Sequence, residues 1–451
     1  MSIWTRVGLL GTMFYCMHRK RMVYADERRD GTEHRREGSS HRRDDAHHQR
    51  DDAPHRREGT HRRRDGACSS RDHELQLVQV MFRHGARTPL KPMPHKEQVE
   101  WSPSLLDAPD HTQFDYTVTN LTGGPQPLST HEQRYRSVTL KGGSFAGQLT
   151  TVGMLQMCKL GERLRKTYVE DQKFLSPVFK PSEVFVRSTN IVRNVESTRC
   201  LLAGLFQQQQ EGPVTIVTAE SCDEILFPNY DGCKGLKLLT NNKMLNASSQ
   251  PGMSEELKSL QQEIGIDREN NAGFFLIFDN LLAQEVHGLP GTLVLKKLLR
   301  RTERRVIDIV SYVMERNREL LQMSVGAFLH TVQQNMLDVV KCSKSTKKSR
   351  KLFLYAVHDV TLIPLLMALG IFDKKWPPYA SDLTLELYRH KRSDEWYARL
   401  CYRGEEQVVR GCRSGLCPLE DFMKAISGYV LTADEYQTIC SKPIKGEEQK
   451  H

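Results

Sequence analysis

The residues best suited to chemistry stand in one short run, Arg83-His84-Gly85-Ala86-Arg87-Thr88-Pro89, directly after an apolar segment. A neutral imidazole attacks phosphorus readily, and the phosphohistidine it forms is labile enough for water to attack in turn. Arginine is its natural companion, because a guanidinium fork matches phosphate oxygens bidentately and stays charged. Gly85 is expected to let the backbone turn tightly beside the reacting group. Alone, a histidine and two arginines at a strand end are ordinary surface residues, but a run with five fixed positions arises by chance on the order of once in ten thousand chains.

Two later segments complete the inventory. VFVRSTNIVRNVES presents Arg187 and Arg193, either of which on its own reads as an ion-pair partner. Ala356-Val357-His358-Asp359 closes the apolar run LFLYAV, where a lone histidine would ordinarily be a satisfied core residue. Together the three segments supply a nucleophile, several phosphate-binding cations, a second imidazole and a carboxylic acid. That set suffices for phosphoryl transfer without a metal.

The elements that must carry these residues are legible around them. Leu75 to Phe82, Glu183 to Val186 and Leu352 to Val357 are short apolar runs with little alternation, as expected of parallel strands buried on both faces. Each ends in one of the three motifs. Leu149 to Tyr168 reads as a helix with Thr150 or Thr151 as N-cap and Val152, Leu155, Leu160 and Leu164 along one face. Strands alternating with helices predict an α/β fold whose ligands sit at the carboxyl ends of the strands. The sequence divides into a catalytic α/β domain over 73–222 and 334–440 and a smaller, mostly helical cap over 223–333. Within the cap, NNKMLNASSQPGMSEELKSLQQEIG reads as a loop followed by a capped helix.

Composition bounds the rest. A length of 451 residues and 38% apolar content describe a globular protein, and a net charge of +10 suits an anionic substrate or surface without indicating nucleic acid. Residues 1–25 carry Arg6, Arg19, Lys20 and Arg21, no acid, and an apolar stretch too short to span a bilayer. They read as a targeting segment, mitochondrial rather than secretory. Residues 26–72 repeat HRRD-like units with six histidines and almost no large apolar side chains, which reads as a low-complexity linker rather than a metal-binding tail. Residues 441–451 form a tail. The 11 cysteines show no paired CxxC motif for zinc; Cys412 and Cys417 lie close enough to staple a C-terminal loop. The sequons at Asn120 and Asn246 matter only in a secreted chain.

RHGxRxP, RSTxxxR and the late HD resemble the histidine acid phosphatases, from about Glu74 to Cys440, including the helix LTTVGMLQMCKLGERLRKTY. The resemblance implies a phosphoglycerate-mutase-like mixed, mainly parallel sheet flanked by helices, with no metal and no cofactor. It implies His84 as nucleophile, Asp359 as proton donor, and Arg83, Arg87, Arg193 and His358 as phosphate ligands, the second arginine of RSTxxxR, Arg193, rather than the first, Arg187, reaching phosphate. Ala86 stands where many relatives carry an acid. Stretches such as EQVEW, QFDYTVTNL, KWPP and GLCPL are similar to family members that act on lysophosphatidic acid in mitochondria. They imply a lysophospholipid monoester as substrate, with peripheral membrane contact and a monomeric chain in view. The alternatives are an inositol-polyphosphate or broad-specificity acid phosphatase, a phosphomutase, or a non-catalytic phospholipid-binding protein; lysosomal or secretory residence is the alternative location. A bell-shaped acidic pH profile is expected, because Asp359 must carry a proton while His84 does not.

Overall fold

A computed structural model describes residues 72–94, 98–266, 272–289, 293–343 and 349–442. The expected targeting segment lies outside the described residues, as do the repeat tract apart from Asp72 and the tail beyond Lys442.

Nine strands are described: β1 (His73–Arg83), β2 (Tyr116–Thr119), β3 (Val184–Ser188), β4 (Val214–Val217), β5 (Leu352–Val357), β6 (Asp382–His390), β7 (Trp396–Tyr402), β8 (Glu405–Gln407) and β9 (Leu416–Pro418). They form one mixed sheet in the order β2-β4-β3-β5-β1-β6-β7-β8, with β9 also on β7. From β2 to β1 the pairing is parallel, and β6 onward continues it antiparallel. The α/β mixed architecture read from the sequence is therefore present. The antiparallel strands, which the three apolar runs do not announce, extend it.

The helices are α1 (Thr130–Arg136), α2 (Thr151–Arg165), α3 (Val192–Phe206), α4 (Lys234–Ser248), α5 (Met253–Ile264), α6 (Phe274–Val286), α7 (Leu293–Met314), α8 (Arg318–Cys342), α9 (Asp359–Leu369), α10 (Leu419–Ile426) and α11 (Ala433–Ser441). β1 shows why its run lacks alternation. Val78, Val80 and Phe82 join the core beneath α2 and α3, whereas Leu77 and Met81 join the core beneath α8, α9 and α10. A strand covered on both sides has no face left for polar residues. A third core, built from Leu236, Leu260, Ile277, Val306, Val310 and Leu320, lies among α4 to α7 and the start of α8. α8 runs without a break across position 333, where the sequence reading closed the cap.

Two local expectations are corrected. In α2 the N-cap is Thr150, but the buried arc is Met154, Met157, Cys158, Leu160, Gly161 and Leu164, with Leu155 exposed. Gly161 is buried because a Cβ there would meet the Leu201 carbonyl oxygen of α3 at 2.0 Å, so small residues, not only large ones, mark the packed face. The segment Asn241–Ser248 is the second half of α4, not a loop, and α5 begins after Gly252 without a side-chain cap. Burial of Leu236 and Ala247 outweighs the weak helix preference of its Asn and Ser residues. A disulfide from Cys233 to Cys440 ties the start of α4 to α11, and Cys412–Cys417 forms the staple suggested by their spacing.

Candidate active site

Strand register brings the motifs together. Arg83 pairs with Val357 across β1 and β5, and Ser188 pairs with Ala356 across β3 and β5. Neighbouring strands are about 4.8 Å apart, so His84 and His358 leave the sheet side by side. Their ring centroids lie 5.6 Å apart.

The loop after β1 is fixed from several directions. Gly85 N–H donates to Ser197 Oγ of α3 at 3.2 Å, Ala86 N–H to Gln156 Oε1 of α2 at 2.9 Å, and Ala380 N–H to the His84 carbonyl at 3.1 Å. A Cβ on Gly85 would stand 2.2 Å from the Gly153 carbonyl oxygen, and one on Gly153 would stand 2.1 Å from that of Ala86. Gly85 does not have a positive φ, so close contact with α2, not a special turn, excludes any side chain there.

His84 is 2% exposed, and its Nδ1 lies 2.9 Å from the Gly85 carbonyl oxygen. A carbonyl only accepts, so Nδ1 carries the proton and Nε2 keeps its lone pair. Burial, followed by the charges of Arg193, Arg83 and Arg87, pushes the imidazole pKa well below its ordinary value. The same residues that would hold a phosphate thus keep this ring neutral.

The three guanidinium groups are held differently. Arg83 donates to the Pro377 carbonyl and to Asp359 Oδ2, both at 2.6 Å, and lies 4.2 Å above the centre of the Tyr379 ring. Arg87 donates to Asp279 Oδ1 of α6 at 2.8 Å. Burial alone would lower its pKa, but Asp279 overrides this and raises it. Arg193 stacks on Tyr135 of α1 at 4.7 Å and donates to its hydroxyl at 3.3 Å, while its buried Nε and Nη1 have no partner. Unpaired buried donors are costly, and these would be satisfied by an anion's oxygens. Arg187 is committed elsewhere: it pairs with buried Glu224 at 3.2 Å. The resemblance likewise leaves Arg187 out of the phosphate ligands, and this ion pair is what occupies it.

His358 Nε2 lies 3.0 Å from Thr189 Oγ1, and burial, then Arg193, lower its pKa strongly. Asp359 opens α9, accepts from Val360 N–H at 2.8 Å and from the Trp376 indole at 3.0 Å. Burial would raise its pKa, but Arg83 and Arg87 outweigh that and hold it below the usual carboxylate value. Sequence reading missed Tyr379, Trp376, Asp279, Tyr135 and Thr189. Trp376 and Tyr379 lie in WPPY just before β6, the strand beside β1, and a proline-rich turn into a strand was the available signal.

A mixed α/β sheet that gathers two neutral imidazoles, three guanidinium groups and a carboxylate at its strand ends defines an enzyme built for phosphate esters. Comparison with known proteins agrees. The model of the histidine phosphatase superfamily (branch 2) matches residues 74–286 and 257–410. Lysophosphatidic acid phosphatase type 6 of Homo sapiens is 50% identical, covering 98% of this chain and 96% of its own, and that of Mus musculus is 48% identical, covering 98% of both. The solved apo structure of Hafnia alvei phytase superposes with a TM-score of 0.53 at 14% identity, over 83% of this chain and 100% of its own, a likeness of fold. The chain belongs to branch 2 of the histidine phosphatase superfamily and is a phosphatase.

Proposed function

We propose that this phosphatase hydrolyses lysophosphatidic acid to monoacylglycerol and phosphate, with His84 as nucleophile and Asp359 as proton donor. The neutral His84 with its free Nε2, set among Arg83, Arg87 and the unsatisfied donors of Arg193, carries the reading of the chemistry. The lipid substrate rests on 50% identity to lysophosphatidic acid phosphatase type 6.

In the first step the Nε2 lone pair forms the N–P bond while the P–O bond to glycerol breaks, and Asp359 gives its proton to the departing oxygen. Arg83, Arg87 and Arg193 neutralise the charge spread over the phosphoryl oxygens. In the second step water attacks phosphorus, its proton passes to Asp359, and the N–P bond breaks to restore neutral His84. Atoms and charge balance over the cycle. Asp359, ionised beside Arg83 in the free protein, takes up its proton when the phosphate dianion engages Arg83 and weakens that ion pair.

We further propose residence in an oxidising compartment, which the buried Cys233–Cys440 disulfide favours; the mitochondrial intermembrane space meets this requirement and agrees with the basic N-terminal segment. Rates on lysophosphatidate, phytate and an aryl phosphate, with His84→Ala as control, test the function. Turnover of lysophosphatidate ahead of phytate, abolished in the variant, is expected. Undiminished turnover by His84→Ala would exclude the nucleophile.

A further inference from the structure

α7 carries an unusual excess of charge. Lys296, Lys297, Arg300, Arg301, Arg304 and Arg305 occupy its first four turns, against Glu303 and Asp308. Arg301 and Arg305 are spent on Glu256, Glu263 and Asp308, and Lys296 on Glu285. Lys297, Arg300 and Arg304 are exposed and have no ion pair among the described residues. At 100° per residue these three fall within about 60° of one another, a single outward stripe. Tyr312, 47% exposed, lies a little over two turns on from Arg304 and about 80° around the helix from it, beyond exposed Asp308.

The flank of α7 next to this stripe, about 60° from Arg300 around the helix, is tied to the site. Glu303, on the same stretch of helix, accepts from Trp376 N–H at 3.1 Å, and the Trp376 indole donates to Asp359. Exposed Lys375, which precedes Trp376 and has no ion pair among the described residues, adds a fourth such cation to Lys297, Arg300 and Arg304. The opposing acids are few: Asp308 faces Arg305, Glu315 faces Lys374, and Asp373 is exposed. An aligned row of cations suits an anionic bilayer, which attracts juxtaposed Lys and Arg additively.

We infer that the basic stripe of α7 docks the enzyme on an anionic lipid surface, presenting the Trp376 side of the active site to substrate held in the membrane. The inference rests on the lipid-monoester reading for its purpose, but surface binding is measurable without turnover.

The test compares the full chain with the variant Lys297→Glu, Arg300→Glu, Arg304→Glu, and with a control reversing exposed Arg413 and Lys424. Cosedimentation uses vesicles of phosphatidylcholine alone and with about one-third phosphatidylserine. The parent chain and the control should bind the anionic vesicles, more weakly as salt rises, and the α7 variant should bind at least tenfold more weakly. On lysophosphatidate in anionic vesicles the α7 variant should show a raised KM, with unchanged turnover of a soluble aryl phosphate. Equal vesicle binding by parent and α7 variant would overturn the inference, as would equal binding to neutral vesicles or equally tight binding to a DNA duplex. Should lysophosphatidate resist hydrolysis while aryl phosphate is cleaved, the substrate reading fails, and cosedimentation still decides the surface.

Discussion

The Arg83 guanidinium lies 2.6 Å from the Asp359 carboxylate, so the cation proposed to bind phosphate and the acid proposed to donate the proton form one ion pair. In the free protein this pair keeps Asp359 ionised, since Arg83 leads the charges that pull its pKa down against burial. In the proposed mechanism a dianion drawing on Arg83 loosens the pair and lets the carboxyl protonate. On that proposal, substrate binding and readiness of the acid are linked events.

The link makes the leaving group diagnostic. Asp359→Asn keeps the shape and the Trp376 hydrogen bond but has no acidic proton. Loss of a general acid costs about 10²–10⁴-fold. That loss should appear in full on an alkyl phosphate such as lysophosphatidate, whose alkoxide leaves poorly, and shrink to a few-fold on an aryl phosphate, whose phenolate leaves unaided. Equal losses on both substrates would remove Asp359 from the role of proton donor.

The two arginines of RSTNIVR separate by the same kind of reasoning. Arg193 has unsatisfied donors in the site, and Arg193→Ala should raise KM and the inhibition constant of phosphate by tenfold or more, at roughly 1.5–3 kcal/mol for a hydrogen bond to a charged group. Arg187→Ala instead strands Glu224 in the core, at a cost of about 3–5 kcal/mol. Its signature is a fall in Tm with kcat/KM preserved in the folded fraction. Arg187→Met combined with Glu224→Leu should recover most of the lost Tm. A double variant as unstable as the single would show that the pair does more than balance its own charges.

The three motifs were readable because each closes a short apolar strand, and parallel strand ends converge on one edge of the sheet. Arg83, His84, Arg87, Arg193, His358 and Asp359 accordingly meet where the sequence put them. What escaped notice acts across long chain separations: Asp279 reaches Arg87 from α6 with no local pattern to announce it, and Trp376 reaches Asp359 from the turn before β6, where the prolines of WPPY mark a turn but not the partner. The face of α2 was misjudged for a different reason. Its helix period was visible, but Gly161 and Cys158 mark close backbone approach to α3, which a count of large apolar residues overlooks.

Tyr379 is a site residue with an unmet requirement. Its hydroxyl is buried without a partner, while its ring lies under Arg83 and 5.9 Å from His84. Burial raises its pKa, so it remains a donor throughout the working range. If a phosphate oxygen accepts from it, Tyr379→Phe should weaken phosphate inhibition roughly tenfold. The same change should leave the Tm of the free protein level or slightly higher, because an unsatisfied hydroxyl is removed from the interior. Unaltered phosphate inhibition would direct the hydroxyl away from the ligand.

Stability and activity should respond to acid in opposite senses. Burial keeps His84, His358 and His131 neutral, with His131 lowered to about 4 and the other two well below the ordinary value. Each binds its proton more readily when unfolded, near pH 6.5, than when folded. Between those two values the unfolded chain holds more protons, so the stabilisation is complete above about pH 6.5 and is lost as pH falls toward the folded pKa. His131 alone accounts for roughly 3 kcal/mol over this window, a sizeable part of a typical 5–15 kcal/mol. Asp359, depressed from its usual value, adds a loss at lower pH still. The proposed chemistry, by contrast, needs Asp359 protonated and gains from acid until His84 itself takes a proton. Tm measured from pH 7.5 to 4.5 should therefore fall steadily below pH 6.5 in the free protein, and less steeply in His131→Asn. Inorganic phosphate at about a hundred times its Kd should return about 2.7 kcal/mol by binding the folded state alone. A Tm that stays level from pH 7 to 5 without phosphate would mean these imidazoles titrate in the fold as they do unfolded, near pH 6.5, and His84 would then be charged, with no lone pair to offer phosphorus, in the acid range where Asp359 carries its proton.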